Sequence, residues 1–435
     1  MEPQKIVIVQ VALSHGGAEQ VGILLANGLQ QRGHLISIYT DLTEPVLYQV
    51  NKGIHITDFV GKKTNVIIKW LKAVYLIRKQ VKSEKPNVII GIMGLCTFIA
   101  YISCLGLKIP IVMTEHNSFE RPDSAPMPLS LKIFKFWINK LYKNITVLTE
   151  ADKKVIGNKL KNITVMPNPL LLKPVNDIPL KEKMVLAVGR VNGWHVKGFD
   201  ILLQAWSKII SNEQLEISNY DYSQDGKLSH WWLKIAGDGK LESFEYLMNL
   251  LPDGEWVFND NVNDNDKHSN TKNTEEKGID TDKLNSQKCG VWRSEKYRIE
   301  FLGFQKDMET LYKKSSVFVL SSRYEGFGLV LIEAMSQGCA PIACDYKGRQ
   351  AEILSPSGDE RRKTKDEKSG IEVTENGILC EADNVEALAE AIKKMIEDDE
   401  YREGIRANAV ERSKNYSIEN TMDRWEKYLV EEVIR

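Results

Sequence analysis

The chain predicts an α/β protein made of two parallel-sheet domains, and three observations carry that prediction. Short apolar, β-branched runs alternate with amphipathic helical runs from end to end. The alternation has no fixed internal repeat, which excludes a solenoid or propeller. The 435 residues suffice for two domains, each with its own core.

In the first half the strand-like runs are KIVIVQVAL, HLISIYTD, GIHITDF, NVIIGIM, PIVMTEH, ITVLT and ITVMPN. Helical runs lie among them: AEQVGILLANGLQQRG, with Gly33 as its stop, and NVIIKWLKAVYLIRKQVKSEK. Val88–Leu107 is 20 residues without a charge, long enough to span a bilayer. Its three glycines and its place in the alternation predict instead a strand over Val88–Ile92, a turn at Gly94 and a buried helix to Leu107. Pro167, Pro169, Pro174 and Pro179 then cluster as an interdomain linker. A second series follows: MVLAVGRV, the helix FDILLQAWSKII, WWLKIAGDG, IEFLGF, SVFVLSS, a helix after Gly328, APIACD, GILC and the helix NVEALAEAIKKMIED. The amphipathic helix IENTMDRWEKYLVEEVI closes the chain. The expected units are 1–172, 173–415 and a terminal helix 416–435, with a ligand cleft between the two domains.

Polar insertions near 212–229, 253–298 and 355–368 read as surface loops. The largest is dense in Asp and Asn but has no glycine at the sixth position of a calcium loop and no glutamate in register at the twelfth. Hydrophobic residues at 43% and charged residues at 27% describe a soluble globular composition. Six cysteines without CxxC spacing read as reduced thiols, and the N-terminus lacks a signal-peptide pattern, so a cytoplasmic location is expected. The net charge of −1 hides an asymmetry: residues 1–170 hold 21 Lys+Arg against 11 Asp+Glu, and the remainder 37 against 48. Two first-half segments concentrate the excess. One carries Lys62, Lys63, Lys69, Lys72, Arg78, Lys79, Lys82 and Lys85; the other is LSLKIFKFWINKLYK, with Lys132, Lys135, Lys140 and Lys143 beside Phe134, Phe136 and Trp137. Cationic faces mixed with aromatics suit an anionic membrane surface, and equally an ordinary core-packed helix. No nucleic-acid-binding module accompanies them.

The most informative segment is FVLSSRYEGFGLVLIE, where a buried strand feeds a polar loop, Glu325, a Gly-Phe-Gly turn and a helix carrying Glu333. Glycines admit close backbone approach, a helix start favours an anion, and carboxylates accept from sugar hydroxyls. Five weaker signals sit at other strand ends. Ser14–Glu19 has paired glycines at a helix start but lacks the GxGxxG dinucleotide fingerprint. Gly189-Arg190 and Lys197–Asp200 offer two cations as a diphosphate clamp. Ala236–Gly239, Phe301–Phe304 and His116 in TEHN complete the set.

Taken in order, GGAE at 16–19, TEHN at 114–117, MPNP at 166–169, GR…KGFD at 189–200, AGDG at 236–239, FLGF at 301–304 and the E-x7-E of Glu325 and Glu333 resemble the retaining GT-B glycosyltransferases of family 4. The resemblance implies a GT-B fold with a C-terminal helix crossing back to the first domain. It implies that Glu333 holds the nucleotide ribose and Glu325 contacts the donor sugar. The backbone of Gly326, Phe327, Gly328 and Leu329 would meet sugar and phosphate. Arg190 and Lys197 would bind the diphosphate, Gly16 and Gly17 would approach it from the other domain, His116 would contact the sugar, and Phe304 and Gln305 would lie near the base. The substrate is expected to be a nucleotide sugar, a UDP-sugar being favoured, without cofactor. No Asp-x-Asp motif is read as a metal site. The expected acceptor is a lipid-linked saccharide of surface-polysaccharide assembly, met at the cytoplasmic face of the inner membrane. Two departures stand out: two extra residues, Trp194 and His195, separate Arg190 from Lys197, and the usual glycine-proline turn after the E-x7-E helix is replaced by Lys347–Glu352, whose Arg349 is expected to add a phosphate or sugar contact. A nucleotide-sugar epimerase of the same architecture, a noncatalytic sugar-nucleotide binder and a nicotinamide dehydrogenase are the competing readings.

Overall fold

A computed structural model describes residues 1–435 except 1, 14–15, 44–45, 47, 61–65, 124–125, 218–230, 252, 254, 260–290, 356–363, 367–368 and 435. The first sheet comprises β1 (Lys5–Ala12), β2 (Leu35–Asp41), β3 (His55–Asp58), β4 (Val88–Ile92), β5 (Ile111–Thr114), β6 (Asn144–Val147) and β7 (Ile163–Val165). Its order is β3-β2-β1-β4-β5-β6-β7, and every pairing is parallel. The inner strands β1, β4, β5 and β6 are buried on both faces, which is why they read as near-continuous apolar runs rather than alternating ones, whereas the edge strands β3 and β7 are only half-buried.

The second sheet comprises β8 (Glu182–Val188), β9 (Trp232–Ala236), β10 (Val257–Asn259), β11 (Val291–Ser294), β12 (Ile299–Gly303), β13 (Ser315–Leu320), β14 (Ala340–Asp345), β15 (Thr364–Asp366), β16 (Ile371–Thr374) and β17 (Gly377–Glu381). The order is β10-β11-β12-β9-β8-β13-β14-β17-β16-β15. Six central strands are parallel, and antiparallel strands extend both edges. Those edges correct the sequence reading: the flanks of the insertions near 253–298 and 355–368 are strands, because β10, β11 and β15 satisfy their backbone groups on neighbours although each is only three or four residues long. Likewise the helix Phe199–Ile217 runs into the segment assigned to a loop near 212–229. The centres of these insertions lie outside the described residues.

Val88–Leu107 folds as β4 and the helix Met93–Ser103, which begins directly after the strand rather than beyond a turn at Gly94. Among the described residues no helix is long and apolar enough to cross a membrane. The C-terminal helix Ile418–Tyr428 returns to the first sheet: Met422, Trp425, Tyr428 and Leu429 share a buried cluster with Ile6, Ile8, Ile38 and Val112. Arg32 reinforces it through Glu426 (2.9 Å) and Asp423 (2.6 Å). The two sheets have the architecture of a GT-B fold.

Strand order locates the site. In the first sheet the order reverses at β1 and β4, and in the second at β8 and β13. At such switch points the loops after adjacent strands diverge and leave a crevice beyond the carboxyl ends.

Candidate functional site

The loops at those ends carry nearly every residue singled out in the sequence. Gly16 and Gly17 follow β1, and Gly17 opens the helix Gly17–Gln31. Among the described residues nothing lies within 4 Å of a Cβ placed on Gly17, which is exposed at this helix start. Ser14 and His15 lie outside the described residues. Across the cleft, backbone bonds knit the ends of β8, β9 and β12 together: Gly189 N–H donates to Ala236 O (3.0 Å), Val191 N–H to Asp238 O (2.7 Å) and Gly237 N–H to Gly303 O (2.8 Å). Arg190 stands exposed on this rim with no ion-pair partner among the described residues.

Lys197 and Glu325, remote in sequence, meet at 2.6 Å. Ser322 Oγ donates to the same Glu325 Oε1 (2.7 Å), so that oxygen accepts two bonds. The extra residues between Arg190 and Lys197 are absorbed in a short turn, Val191–Gly193, and one helical turn, Trp194–Lys197, with Trp194 stacked on Tyr246 at 4.2 Å. Arg323, which sequence reasoning missed, fastens this assembly. It donates bidentately to Asp200 (2.8 and 2.8 Å), to His195 O (2.5 Å) and to Asp383 (2.9 Å). The Asp of the KGFD motif is therefore the anchor of Arg323.

Gly328 caps the helix Leu329–Ser336 in a left-handed conformation (φ 86°), which a residue with a side chain adopts only under strain. Phe327 is buried beneath it against Tyr416. Leu329 begins the helix, and Glu333 lies one turn further. Burial holds the Glu333 carboxyl above the usual carboxylate range, opposed by a hydrogen bond from the Tyr312 hydroxyl to Oε2 (3.1 Å). Tyr312 is fully buried on the helix Met308–Lys314, which the sequence reading did not assign. Phe304 is 58% exposed at the end of β12, and Gln305 donates to Leu302 O (2.7 Å).

His116 follows β5 and sits opposite Gly326. A Cβ on Gly326 would come within 2.3 Å of the His116 carbonyl oxygen, so the two domains touch here and only glycine fits. Both ring nitrogens of His116 contact protein: Nε2 lies 3.1 Å from Thr114 Oγ1 and Nδ1 3.0 Å from Asn168 Oδ1. Although part of the residue reaches the cleft, burial pushes its pKa down to about 4, against the opposing bond to Asn168. The ring is neutral at pH 7 and has one N–H; Asn168 Oδ1 can only accept, so Nδ1–H donates to it and Nε2 is the acceptor toward Thr114 Oγ1, whose hydroxyl also reaches Gly91 O (3.0 Å). Tyr48, another residue that sequence reasoning missed, lies beside Gly16 on the first-domain wall. Burial raises its pKa, the Gly16 backbone hydrogen-bonds it, and the charges of Glu19, Glu333 and Arg190 act on it. It lies in an irregular loop, where periodicity gives no signal.

Arg349 departs from its expected role. It is fully buried and pairs with Asp152 of the first domain at 2.9 Å instead of facing a ligand space. Lys135, assigned to the membrane-facing set, is also buried, donating to Asn117 O and Ser118 O (2.7 Å each). Lys69 pairs with Asp41 (2.6 Å), and Arg78 caps the helix Met93–Ser103 through Ser103 O (2.8 Å). Lys62 and Lys63 lie outside the described residues. No cluster of metal-ligating side chains occurs among the described residues. The triplets Asp264-Asn265-Asp266 and Asp280-Thr281-Asp282 fall outside them.

Chemically, the cleft combines a helix start, two cations and two carboxylates around a crevice, the set needed to hold a phosphorylated sugar. Comparison with known proteins identifies the family. Residues 15–170 match the model of Glycosyltransferase Family 4, and residues 293–412 that of Glycosyl transferases group 1. An uncharacterized glycosyltransferase of Haemophilus influenzae is 25% identical over 419 residues, 96% of this chain and 97% of that protein. The GalNAc-alpha-(1->4)-GalNAc-alpha-(1->3)-diNAcBac-PP-undecaprenol alpha-1,4-N-acetyl-D-galactosaminyltransferase of Campylobacter jejuni is 23% identical over 438 residues, 98% of each chain. The crystal structure of Anabaena Alr3699/HepE in complex with UDP and glucose superposes with a TM-score of 0.63 at 16% identity, over 98% of this chain and 99% of that one.

Proposed function

The chain belongs to the GT-B glycosyltransferases of family 4, and from that premise we propose that it moves a hexose or N-acetylhexosamine from a UDP-sugar to a lipid-linked saccharide, with retention of anomeric configuration. The observation that carries the reading is the Lys197–Glu325 pair beside the Gly328-capped helix that bears Glu333. The activity of the Campylobacter relative, on an undecaprenol-linked acceptor, and the UDP complex of the Anabaena protein support this choice of substrate classes.

In this reading Glu333 accepts from the ribose hydroxyls, and Glu325 accepts from the donor sugar. The bond between the anomeric carbon and the diphosphate oxygen breaks with its electron pair leaving on the diphosphate. Arg190, Lys197 and the backbone N–H groups of Gly16, Gly17 and the Leu329 helix start stabilise that charge in place of a metal ion. The acceptor hydroxyl oxygen bonds to the same face of the anomeric carbon, and its proton passes to the departing diphosphate. Glu325, already accepting from Lys197 and Ser322, positions the donor and is not a covalent nucleophile.

The acceptor reaches the first domain from a membrane surface. Leu129, Ile133, Trp137 and Leu141 are exposed beside Lys132, Lys140 and Lys143, and Ile68, Leu71 and Tyr75 beside Lys72 and Lys79.

The test is product analysis with UDP-hexoses and UDP-N-acetylhexosamines, with and without an undecaprenyl-diphosphate saccharide in anionic vesicles. Acceptor-dependent release of UDP with an axial product linkage is expected. Interconversion of the nucleotide sugar without an acceptor would establish the epimerase reading, and binding without turnover the noncatalytic one.

A further inference from the structure

Arg349 stands where the family-like turn is replaced, and the structure gives it a partner in the other domain. Asp345, at the end of β14, accepts from the backbone N–H groups of Gly348 (2.8 Å), Gln350 (2.9 Å) and Ala351 (3.0 Å), which fixes the turn. The turn sends Arg349 into the first domain, where Nη2 meets Asp152 Oδ1 at 2.9 Å. Arg349 is 0% and Asp152 2% exposed. Three residues on, Glu352 accepts from the backbone N–H groups of Glu150 (2.8 Å) and Ala151 (2.6 Å), across the same boundary. Lys347 pairs with Glu120 on the outer side.

The same Asp152 oxygen holds the loop that carries His116. Phe119 N–H donates to Oδ1 (2.8 Å), and Ser118 Oγ lies 3.3 Å from it. Buried Lys135 ties Asn117 and Ser118 from below, with Glu115 3.6 Å away. The loop 115–120 is thus braced within its own domain by Lys135 and Asp152; Asp152 feels the Lys135 charge and accepts from Thr149 Oγ1 (3.0 Å), but among the described residues its direct ion pair is with Arg349 of the other domain. Removing one partner of a buried pair leaves an uncompensated charge, which relaxes by moving its neighbours or by protonation.

We propose that Arg349 is a positioning residue for the transfer reaction: by balancing Asp152 across the closed cleft, it holds the 115–120 loop, and with it His116 against Gly326, in the geometry for reaction. Substrate contacts are left to the residues named above. The turnover consequence rests on the transferase reading; the structural coupling does not.

The experiment compares wild type with Arg349→Met, Arg349→Lys and the double variant Arg349→Met/Asp152→Asn. Amide hydrogen exchange is followed over 115–121 and 149–152. Donor turnover is measured beside binding of whichever of UDP, GDP or ADP binds the wild type. Arg349→Met is expected to speed exchange at Phe119 about tenfold or more, and to lower kcat about a hundredfold, the effect of a roughly 1 Å misplacement. Nucleotide affinity is expected to stay within about twofold, since Arg349 makes no donor contact in this account. Arg349→Lys restores part of both losses. The double variant exchanges more slowly than Arg349→Met, because the uncompensated charge is gone. Unchanged exchange over 115–121 in Arg349→Met overturns the proposal, as does nucleotide affinity that falls in parallel with kcat. If the wild type turns over no sugar nucleotide, the transferase reading falls, and the exchange data alone decide the coupling.

Discussion

The two walls of the cleft are built on different plans. On the second-domain wall, polar side chains fix one another: Lys197 and Ser322 hold Glu325, Tyr312 holds Glu333, and Arg323 ties the supporting turns together. The first-domain wall presents backbone at Gly16 and Gly17 and a loop whose imidazole already contacts Thr114 and Asn168. Part of that loop's support arrives from the opposite domain through Arg349. One wall is fixed by contacts within its own domain, and the other draws part of its support across the domain boundary. Substitutions on the two should therefore separate donor binding from turnover.

The sharpest way to break the contrast is at their point of contact. Gly326→Ala places a methyl group 2.3 Å from the His116 carbonyl. Neither backbone can give way cheaply, so the walls are forced apart. Turnover should fall about a hundredfold or more while nucleotide binding changes little. Initial rates beside calorimetric titration check this; equal loss of both would mean that the walls do not act separately.

A smaller effect sharpens the account of the organised wall. Tyr312→Phe removes the one hydrogen bond that lowers the Glu333 pKa, which burial already raises. A protonated Glu333 has lost acceptor capacity toward ribose hydroxyls, so donor affinity is full above its pKa and is lost as pH falls through it. The variant should bind nucleotide about threefold to tenfold more weakly near neutral pH, the worth of one hydrogen bond. Its acid limb should move to higher pH. The pH dependence of nucleotide affinity measures both, and an unmoved limb would remove Tyr312 from the site.

Much of this architecture was legible in the sequence. Val/Ile runs buried on both faces announce parallel strands, and Gly-rich strand ends announce the crevice. What escaped was long-range pairing. Arg323 and Asp200 are 123 positions apart, and Arg349 and Asp152 are 197, so no local pattern links them. Arg349 read as a ligand contact because a cation in the turn beyond the helix that bears Glu333 invites that role, whereas the fold turns it toward a buried carboxylate. Lys135 misled in the same way, since an amphipathic pattern does not reveal which lysine of a helix faces inward. The edge strands β10, β11 and β15 were missed because each is only three or four residues long and borders a polar insertion, too short to show a period of its own.

The central claim is that Lys197, Glu325 and Glu333 form the donor site. Its most direct test is a thermal-shift and calorimetric screen of UDP, GDP, ADP and their common sugars on wild type, Glu333→Ala and Lys197→Ala. The account predicts that a uridine nucleotide stabilises the wild type and that each substitution weakens it about tenfold or more, with the protein still folded. Undiminished nucleotide binding in both variants would contradict it.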